Sequence, residues 1–189
     1  MTVSAADLTA IVPAAGAARR YGKSKLSDNI DGTTLLQRCL AQLQPVTPNI
    51  VVVTGAHADS VAKSIPGDCL SVHNSNWHRG LGSSIATAMV AVKTKAALIV
   101  LPDQAMITTA HLQQLLKLWQ QRPAAIACAH YNGINGVPAI FPARLFDQLA
   151  ELDDDYGARH LVEADGEVVA LPLPEAAIDI DKPTDLDLL

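Results

Sequence analysis

The sequence predicts an α/β fold of three layers, with helices covering both faces of a mainly parallel β-sheet. Short apolar runs of strand length alternate along the chain with longer stretches whose apolar residues recur at helical spacing, as in repeated strand–helix–strand units. The run NIVVVT at 49–54 has no polar alternation, which is typical of a strand that is covered on both faces. Together the two patterns indicate a buried parallel sheet.

The first half of the chain supplies four strands and three helices in alternation. Strands are predicted where apolar and β-branched residues run together, and helices where they lie on one stripe, as Leu36, Leu40 and Leu43 do. In order, we expect a strand at 9–14, a helix at 33–43, strands at 49–54 and 68–73 with a helix at 58–65 between them, a helix at 83–93 and a buried strand at 96–101.

The second half is predicted from caps and turns as well as periodicity. Thr108 or Thr109 caps a helix that runs to Gln121, and Pro183, which needs no intrahelical partner for its nitrogen, starts the last helix. Between them we expect strands near 124–130 and 137–141, a helix at 144–151, an acidic turn at 153–155, a short helix at 158–163, and strands around Val168 and Ile178. No repeat or linker interrupts residues 1–189, which are therefore expected to form a single domain.

Charge and hydropathy exclude several classes of protein. The formal net charge of −5 argues against a general nucleic-acid or anionic-membrane surface, because both favour clustered Lys and Arg. The first residues show no basic region followed by an apolar one, and no apolar run approaches the roughly 18 residues of a spanning helix. We expect a cytoplasmic enzyme with no nucleic-acid or membrane partner.

Cysteine and histidine patterns give no sign of a zinc site or a hydrolase. Cys39, Cys69 and Cys128 are too widely spaced for a metal pair and are expected to be reduced and buried. The six histidines form no HExxH pattern, and the glycine-serine segment at 82–84 is not a GxSxG elbow.

The segment PAAGAARRYGKSK at 13–25 follows the first predicted strand directly. Its small residues Ala14, Ala15, Gly16 and Ala17 let the backbone approach a ligand closely, and successive N–H groups can cradle phosphate oxygens. Arg20, Lys23 and Lys25 then add positive charge, so we expect a polyanion here. The segment matches neither GxxxxGK[ST] nor GxGxxG, and a basic loop that only connects strand and helix stays open as an alternative.

Carboxylates follow two other predicted strands. Asp103, in LPDQ, comes after a buried strand, at the edge where open α/β sheets bind ligands, and suits Mg²⁺. Asp179 and Asp181 would point to one face of a strand around Ile178, so both could look into the same cleft. Asp103 could instead serve in a turn, and Asp181 or Thr184 could cap the last helix.

These segments resemble, in order, the signature blocks of the nucleotidyltransferases related to molybdenum cofactor cytidylyltransferase, and more distantly of guanylyltransferases and sugar-nucleotide pyrophosphorylases. AAGAARRYGKSK is similar to the family's AAGxSxRxGxxK signature. VTGAHADS, NWHRGLGSSI, LPDQ, NGVPAIF, DDDYGARHL and DIDKPTDL resemble further blocks. The resemblance covers nearly the whole chain and implies a Rossmann-like fold of the nucleotide-diphospho-sugar transferase type.

The resemblance also implies roles for residues. Arg20 and Lys25 would grip the triphosphate, and Asp103 would hold Mg²⁺ with Asp179 or Asp181 as the second carboxylate. The remaining implied residues are Gly82, Ser83 and Ser84 beside the nucleotide, and Gly136, Pro138 and Gly157 on the acceptor side. Ala18 stands where the family often has Ser, and Val137 where a His is frequent, but neither departure removes a charged group that the phosphate chemistry requires.

The implied activity is transfer of a nucleoside monophosphate from an NTP to a phosphorylated acceptor, with release of pyrophosphate. The pattern around Ala14-Ala15-Gly16 favours CTP, and molybdopterin is the implied acceptor. A molybdenum enzyme or its maturation factor would be a transient partner. The alternatives are a sugar-phosphate or methylerythritol-phosphate nucleotidyltransferase, and a non-catalytic nucleotide-binding accessory protein for molybdenum enzyme maturation.

Overall fold

The computed structural model describes residues 4–17, 25–27, 29–30, 32–180 and 184–185. The strands in these ranges are β1 Leu8–Ala14, β2 Asn29–Ile30, β3 Thr33–Thr34, β4 Asn49–Thr54, β5 Leu70–His73, β6 Ala96–Ile99, β7 Ile126–Tyr131, β8 Ile134–Pro142 and β9 Val168–Pro172. The α-helices are α1 Leu35–Leu43, α2 Ala58–Ala62, α3 Leu81–Met89, α4 Thr109–Gln121, α5 Phe146–Ala150 and α6 Arg159–Ala164.

Seven of these strands form one sheet in the order β5-β4-β1-β6-β8-β7-β9. Within that sheet, as far as the described residues extend, only β8 runs antiparallel to its neighbours. The strands β2 and β3 pair separately as a short ribbon. The predicted α/β fold with a mainly parallel sheet is confirmed.

Helices cover both faces of the sheet, and each face has its own apolar core. On one face, α1 and α4 pack through residues such as Leu36, Leu40 and Trp119, which are almost fully buried. On the other face, α3, α5 and α6 pack through Ile85, Leu149 and their neighbours against the opposite side of the same strands. The prediction of three layers is therefore confirmed as well.

The order of the strands reverses beside β1. From β1 the chain passes to β4 and then to β5 on one side, whereas β6 lies on the other side of β1. Adjacent crossovers that depart in opposite directions leave a crevice at the carboxyl ends of the strands, which is where open α/β sheets bind ligands. The loops that follow β1 and β6 therefore border this crevice.

Local sequence signals placed several elements well. The strand at 49–54 is observed with the predicted bounds. Thr108 caps the helix that ends at Gln121, and its hydroxyl accepts a hydrogen bond from the N–H of His111. The helix predicted from residue 33 instead begins at Leu35, because Thr33 and Thr34 pair with β2 and the Thr34 hydroxyl caps the helix.

The prediction of a strand around Ile178 is wrong. A 3-10 helix at Pro174–Ala177 precedes it, and residues 178–180 have no regular structure. The N–H of Ile180 donates to the carbonyl of Asp103 at 3.0 Å, so this stretch bonds to a loop rather than to a neighbouring strand. The strand argument for Asp179 therefore fails, while Pro183 and the helix predicted there lie outside the described residues.

Within the described ranges, every helix is either too short or too polar to cross a membrane.

Candidate active site

A cleft of about 440 Å³ opens at the carboxyl ends of β1 and β6, where the strand order reverses. Its walls come from four segments that are distant in sequence: the loop after β1, the turn after β6, the segment that leads into α3, and the acidic turn that carries Asp155. Residues lining it include Ala14, Ala15, Gly16, Ala17, Lys25, Trp77, His78, Gly80, Leu81, Ser84, Asp103 and Asp155.

Lys25 joins three of the predicted segments at the base of this cleft. Its Nζ donates to Asp103 Oδ2 at 2.8 Å and to the carbonyl of Ile180 at 2.9 Å. The side chains of Lys25 and Asp103 are only 13% and 23% exposed. The basic loop, LPDQ and the start of DIDKPTDL therefore meet at the cleft, as the sequence predicts.

The two oxygens of Asp103 have different surroundings. Oδ2 accepts from Lys25, whereas Oδ1 is buried and has no hydrogen-bond partner among the described residues. A buried carboxylate oxygen without a partner costs free energy, because it has lost its water and gained nothing in return. Such an oxygen is suited to be a ligand of a divalent cation.

Only part of the predicted metal set can be located. Asp179 is exposed beside Ile180, whose backbone bonds to Asp103, and Asp181 lies outside the described residues. Within the described ranges, no three His, Cys, Asp or Glu side chains gather as a potential metal group. Asp103 is thus the best-defined candidate ligand.

The loop after β1 presents its backbone to the cleft. Ala14 and Ala15 are buried, Gly16 is exposed, and all of them line the cleft together with Ala17. A side-chain carbon built on Gly16 would meet nothing within 4 Å, so the space beside it is open. Arg20, the other predicted triphosphate ligand, lies outside the described residues.

Asn74 organises the segment that leads into α3. Its amide donates to Ser83 Oγ at 3.0 Å and Ser84 Oγ at 3.1 Å, and its Oδ1 accepts from the N–H of Asn76. Ser83 Oγ also lies 2.8 Å from the carbonyl of Gly80. Of the two serines only Ser84 borders the cleft, so Ser83 holds the segment together while Ser84 is positioned to meet a ligand.

The acidic loop at 153–157 packs against the same segment. Gly80 has a φ of +106°, and a side-chain carbon there would lie 2.3 Å from Asp155 Oδ1, so only glycine fits. The N–H of Gly82 donates to the carbonyl of Asp154 at 2.7 Å, which makes Gly82 a packing residue behind the cleft wall. Gly157 lies against the side chain of Leu81.

Gly136 and Pro138 lie on β8, away from the residues that line the cleft. The phenol of Tyr131 sits directly over Gly136, and the peptide bond before Pro138 is cis. Burial, and next the charge of Asp179, raise the pKa of the Tyr131 hydroxyl. Tyr131 therefore covers Gly136, one of the residues predicted for the acceptor side.

Gln104 links these regions. Its Nε2 donates to the carbonyl of Val137 at 3.1 Å and to that of Ala176 at 2.7 Å, so the turn that carries Asp103 is tied both to β8 and to the chain before Asp179. Sequence reasoning missed Gln104 and the cleft residues Trp77 and Asp155. All three lie in blocks that the resemblance singled out, which is the signal that could have drawn attention to them.

Of the three cysteines, which were all expected to be buried, Cys128 is buried, whereas Cys39 and Cys69 are partly exposed. The three cysteines are free, and burial raises the pKa of Cys39 to about 12 and that of Cys128 to about 11, so both stay neutral.

Comparison with known proteins agrees with the geometry. Residues 10–169 match the family model described as the MobA-like NTP transferase domain. Among curated proteins, the chain is 25% identical to the molybdenum cofactor cytidylyltransferase of Escherichia coli strain K12 over 178 residues, which cover 93% of this chain and 91% of that protein.

Solved structures of similar fold include mycobacterial proteins. A homologue of Mycobacterium tuberculosis Rv0371c, from Mycobacterium sp. strain JC1, superposes with a TM-score of 0.82 and 26% identity, covering 98% of this chain and 96% of that one. Rv0371c of M. tuberculosis H37Rv, solved as a complex with manganese, gives a TM-score of 0.76 at 23% identity, with coverage of 96% and 97%. The second likeness is one of fold alone.

Proposed function

The chain belongs to the MobA-like NTP transferase family, a family of nucleotidyltransferases, and from this premise we propose that it transfers CMP from CTP to molybdopterin. An oxygen of the acceptor's phosphate attacks the α-phosphorus of the NTP in line with the leaving group. The new bond joins the two phosphates, and the bond between the α- and β-phosphates breaks, so pyrophosphate leaves with the electron pair. A phosphate nucleophile is largely ionised near neutral pH, so the step needs no general base.

The observation that carries the proposal is the contact of Lys25 with Asp103 and Ile180 in the cleft. In phosphoryl-type transfer, catalysis comes mainly from positioning and from neutralising charge. An ammonium group of this kind, with the backbone of the loop after β1 beside it, supplies a cradle for a polyphosphate. Arg20, from the same loop, is proposed as a second triphosphate ligand.

Asp103 is the residue proposed to hold Mg²⁺. Its buried Oδ1, which has no partner among the described residues, fits a hard cation, while Lys25 fixes the other oxygen and with it the orientation of the carboxylate. Asp179 or Asp181 is proposed as the second carboxylate, and manganese in the M. tuberculosis Rv0371c structure is consistent with a divalent-cation site. Held by these carboxylates, Mg²⁺ would supply positive charge against the phosphates of the NTP.

The nucleotide and acceptor assignments rest on the relatives. The E. coli relative is described as a cytidylyltransferase of the molybdenum cofactor, which favours CTP and molybdopterin. The buried methyl groups of Ala14 and Ala15 line the cleft, where the guanylyltransferase branch usually has two glycines. Ser84 is proposed to border the nucleotide, and the region of Gly136, Pro138 and Gly157 to border the acceptor. Transient contact with a molybdenum enzyme or its maturation factor, in the cytoplasm, completes the proposal.

The test is a turnover assay of CTP, GTP, ATP and UTP, each with molybdopterin and Mg²⁺, read by release of pyrophosphate. We expect the fastest release with CTP. Preferred turnover with a sugar phosphate or methylerythritol phosphate would overturn the acceptor assignment. Nucleotide binding without release of pyrophosphate for any acceptor would instead identify an accessory protein.

A further inference from the structure

The segment 55–60 lies behind the loop that follows β1 and bonds to its carbonyl groups. The N–H of Ala56 donates to the carbonyl of Ala15 at 3.0 Å, extending the pairing of β1 with β4 beyond the last strand residues. Two residues further along the loop, the carbonyl of Ala17 lies 3.2 Å from Nε2 of His57. The loop is thus held at two successive places from one side.

The same segment also contacts the far part of the loop. Ser60 Oγ lies 3.3 Å from Ser27 Oγ, two residues after Lys25. At the near end, a side-chain carbon on Gly55 would lie 2.7 Å from Ala15 and 2.8 Å from Trp77, so the two loops approach as closely as glycine permits. We call residues 55–60 the clamp.

The bonds to the clamp fix the direction of the peptide planes. In a trans peptide the C=O of one residue points opposite to the N–H of the next. With the carbonyl of Ala15 turned toward Ala56, the N–H of Gly16 points away from the clamp. Gly16 lines the cleft and has open space beside it, so the clamp prepares this part of the loop to donate to an anion.

We propose that His57 is a positioning residue for the NTP, acting through its bond to the carbonyl of Ala17. The inference rests on the proposed function, because the ligand it serves is the triphosphate. His57 occupies the cap position before α2, yet its side chain makes no capping bond. Its imidazole therefore serves the loop and not the helix.

The chemistry of the bond distinguishes two replacements. A carbonyl accepts, so His57 must carry a proton on Nε2. A glutamine at this position can place its amide nitrogen near the site of Nε2, whereas the shorter asparagine reaches only the site of Nδ1. His57→Gln should thus keep the bond, and His57→Asn should lose it.

The experiment is calorimetric titration of the whole protein with CTP and Mg²⁺, without acceptor, so that no turnover occurs. Loss of one hydrogen bond predicts a Kd raised roughly threefold to tenfold in His57→Ala and His57→Asn. His57→Gln should bind within about twofold of the wild type, because it keeps the bond. The thermal midpoints of the His57 variants should match that of the wild type. His111→Ala, which removes a histidine on α4, is the matched control and should bind CTP like the wild type.

Two results separate the failure of this inference from the failure of the proposed function. The role of His57 is overturned if the wild type and His57→Ala bind CTP equally well, or if His57→Asn binds it as tightly as His57→Gln. Neither result contradicts the proposed function. If the wild type binds none of the four NTPs, both are overturned. At saturating CTP, the kcat of His57→Ala should fall no further than a fewfold, and its KM for the acceptor should not change. Both results would support a role of His57 in positioning the NTP.

Discussion

Each edge of the sheet carries an aspartate paired with a basic side chain, but the two aspartates differ in how fully they are hydrogen-bonded. At the edge formed by the amino ends of the parallel strands, Asp165 accepts from both terminal nitrogens of Arg144 and from the N–H of Glu167. At the other edge, Asp103 pairs with Lys25 through Oδ2 only and leaves Oδ1 buried without a partner among the described residues. The first carboxylate has its partners within the fold, whereas the second keeps one oxygen for which the described part of the chain supplies no partner.

The difference between the edges shows where polar groups have been buried without the hydrogen bonds that would offset the free-energy cost of burial. Arg144 also donates to the carbonyl of Ala124, so at the amino edge one ion pair ties three segments together. At the carboxyl edge the cleft is lined by Gly16, which has open space beside it, and by Asp103, whose buried Oδ1 has no partner among the described residues. Polar groups that are buried and unsatisfied are expected at functional sites, because a ligand can supply the missing partner.

The same substitution at each edge gives the largest contrast. Asp103→Asn removes the charge that would hold the cation, so we expect turnover to fall on the order of 10³-fold, as when a key electrostatic group is lost from an active site. The measurement is release of pyrophosphate from CTP and molybdopterin at saturating substrate. Asp165→Asn is the control and should turn over at the wild-type rate.

Stability should fall in both members of this pair. Asp103→Asn leaves the part-buried Lys25 ammonium without its charged partner, so we expect a thermal midpoint below that of the wild type in a protein that still folds. Turnover is therefore compared at a temperature below both midpoints. Full activity in a folded Asp103→Asn protein would break the comparison between the edges.

The next effect concerns Lys25. Lys25→Met removes a charge-assisted contact while keeping most of the apolar stem, so we expect the affinity for CTP with Mg²⁺ to fall roughly 10- to 100-fold. Calorimetry without acceptor measures this directly. Lys95→Met, which breaks the exposed pair with Asp7 at the amino edge, is the matched control and should bind CTP like the wild type. Equal affinity in the two variants would remove Lys25 from the triphosphate site.

The features that could be predicted from the sequence are those whose signals lie within a few residues of one another. The strand at 49–54 and the capped start of α4 were predictable, because a β-branched run and a capping threonine act within a few residues. The meeting of Lys25 with Asp103 was predictable only coarsely, from the rule that parallel strands end at one edge. The direct ion pair between them was not.

Other parts of the site depend on contacts between distant segments. Gln104 joins Val137 and Ala176, and His57 contacts Ala17, but no spacing in the chain marks either contact. The strand expected around Ile178 failed for the same reason, since the backbone of Ile180 bonds to Asp103 and Lys25. Apolar patterns indicate burial, and they do not indicate which partner a backbone group finds.

The smallest expected effect tests the amino edge itself. The hydrogen bonds from Arg144 hold the pKa of Asp165 below its usual value. The Asp165 side chain is 10% exposed and that of Arg144 40%, so solvent screens the pair, and Asp165→Asn should lower the free energy of unfolding by about 1 kcal/mol near neutral pH. Because the folded pKa is depressed, this stabilisation is fully present above the unfolded value of about 3.9 and is lost as the pH falls through the folded value.

Urea unfolding of the wild type and of Asp165→Asn, at pH 7 and in acid, should therefore show a gap between their unfolding free energies that closes on acidification. A gap that stays constant with pH would assign the effect of the substitution to packing and not to the ion pair, and would leave the amino edge without the electrostatic role that sets it apart from the cleft.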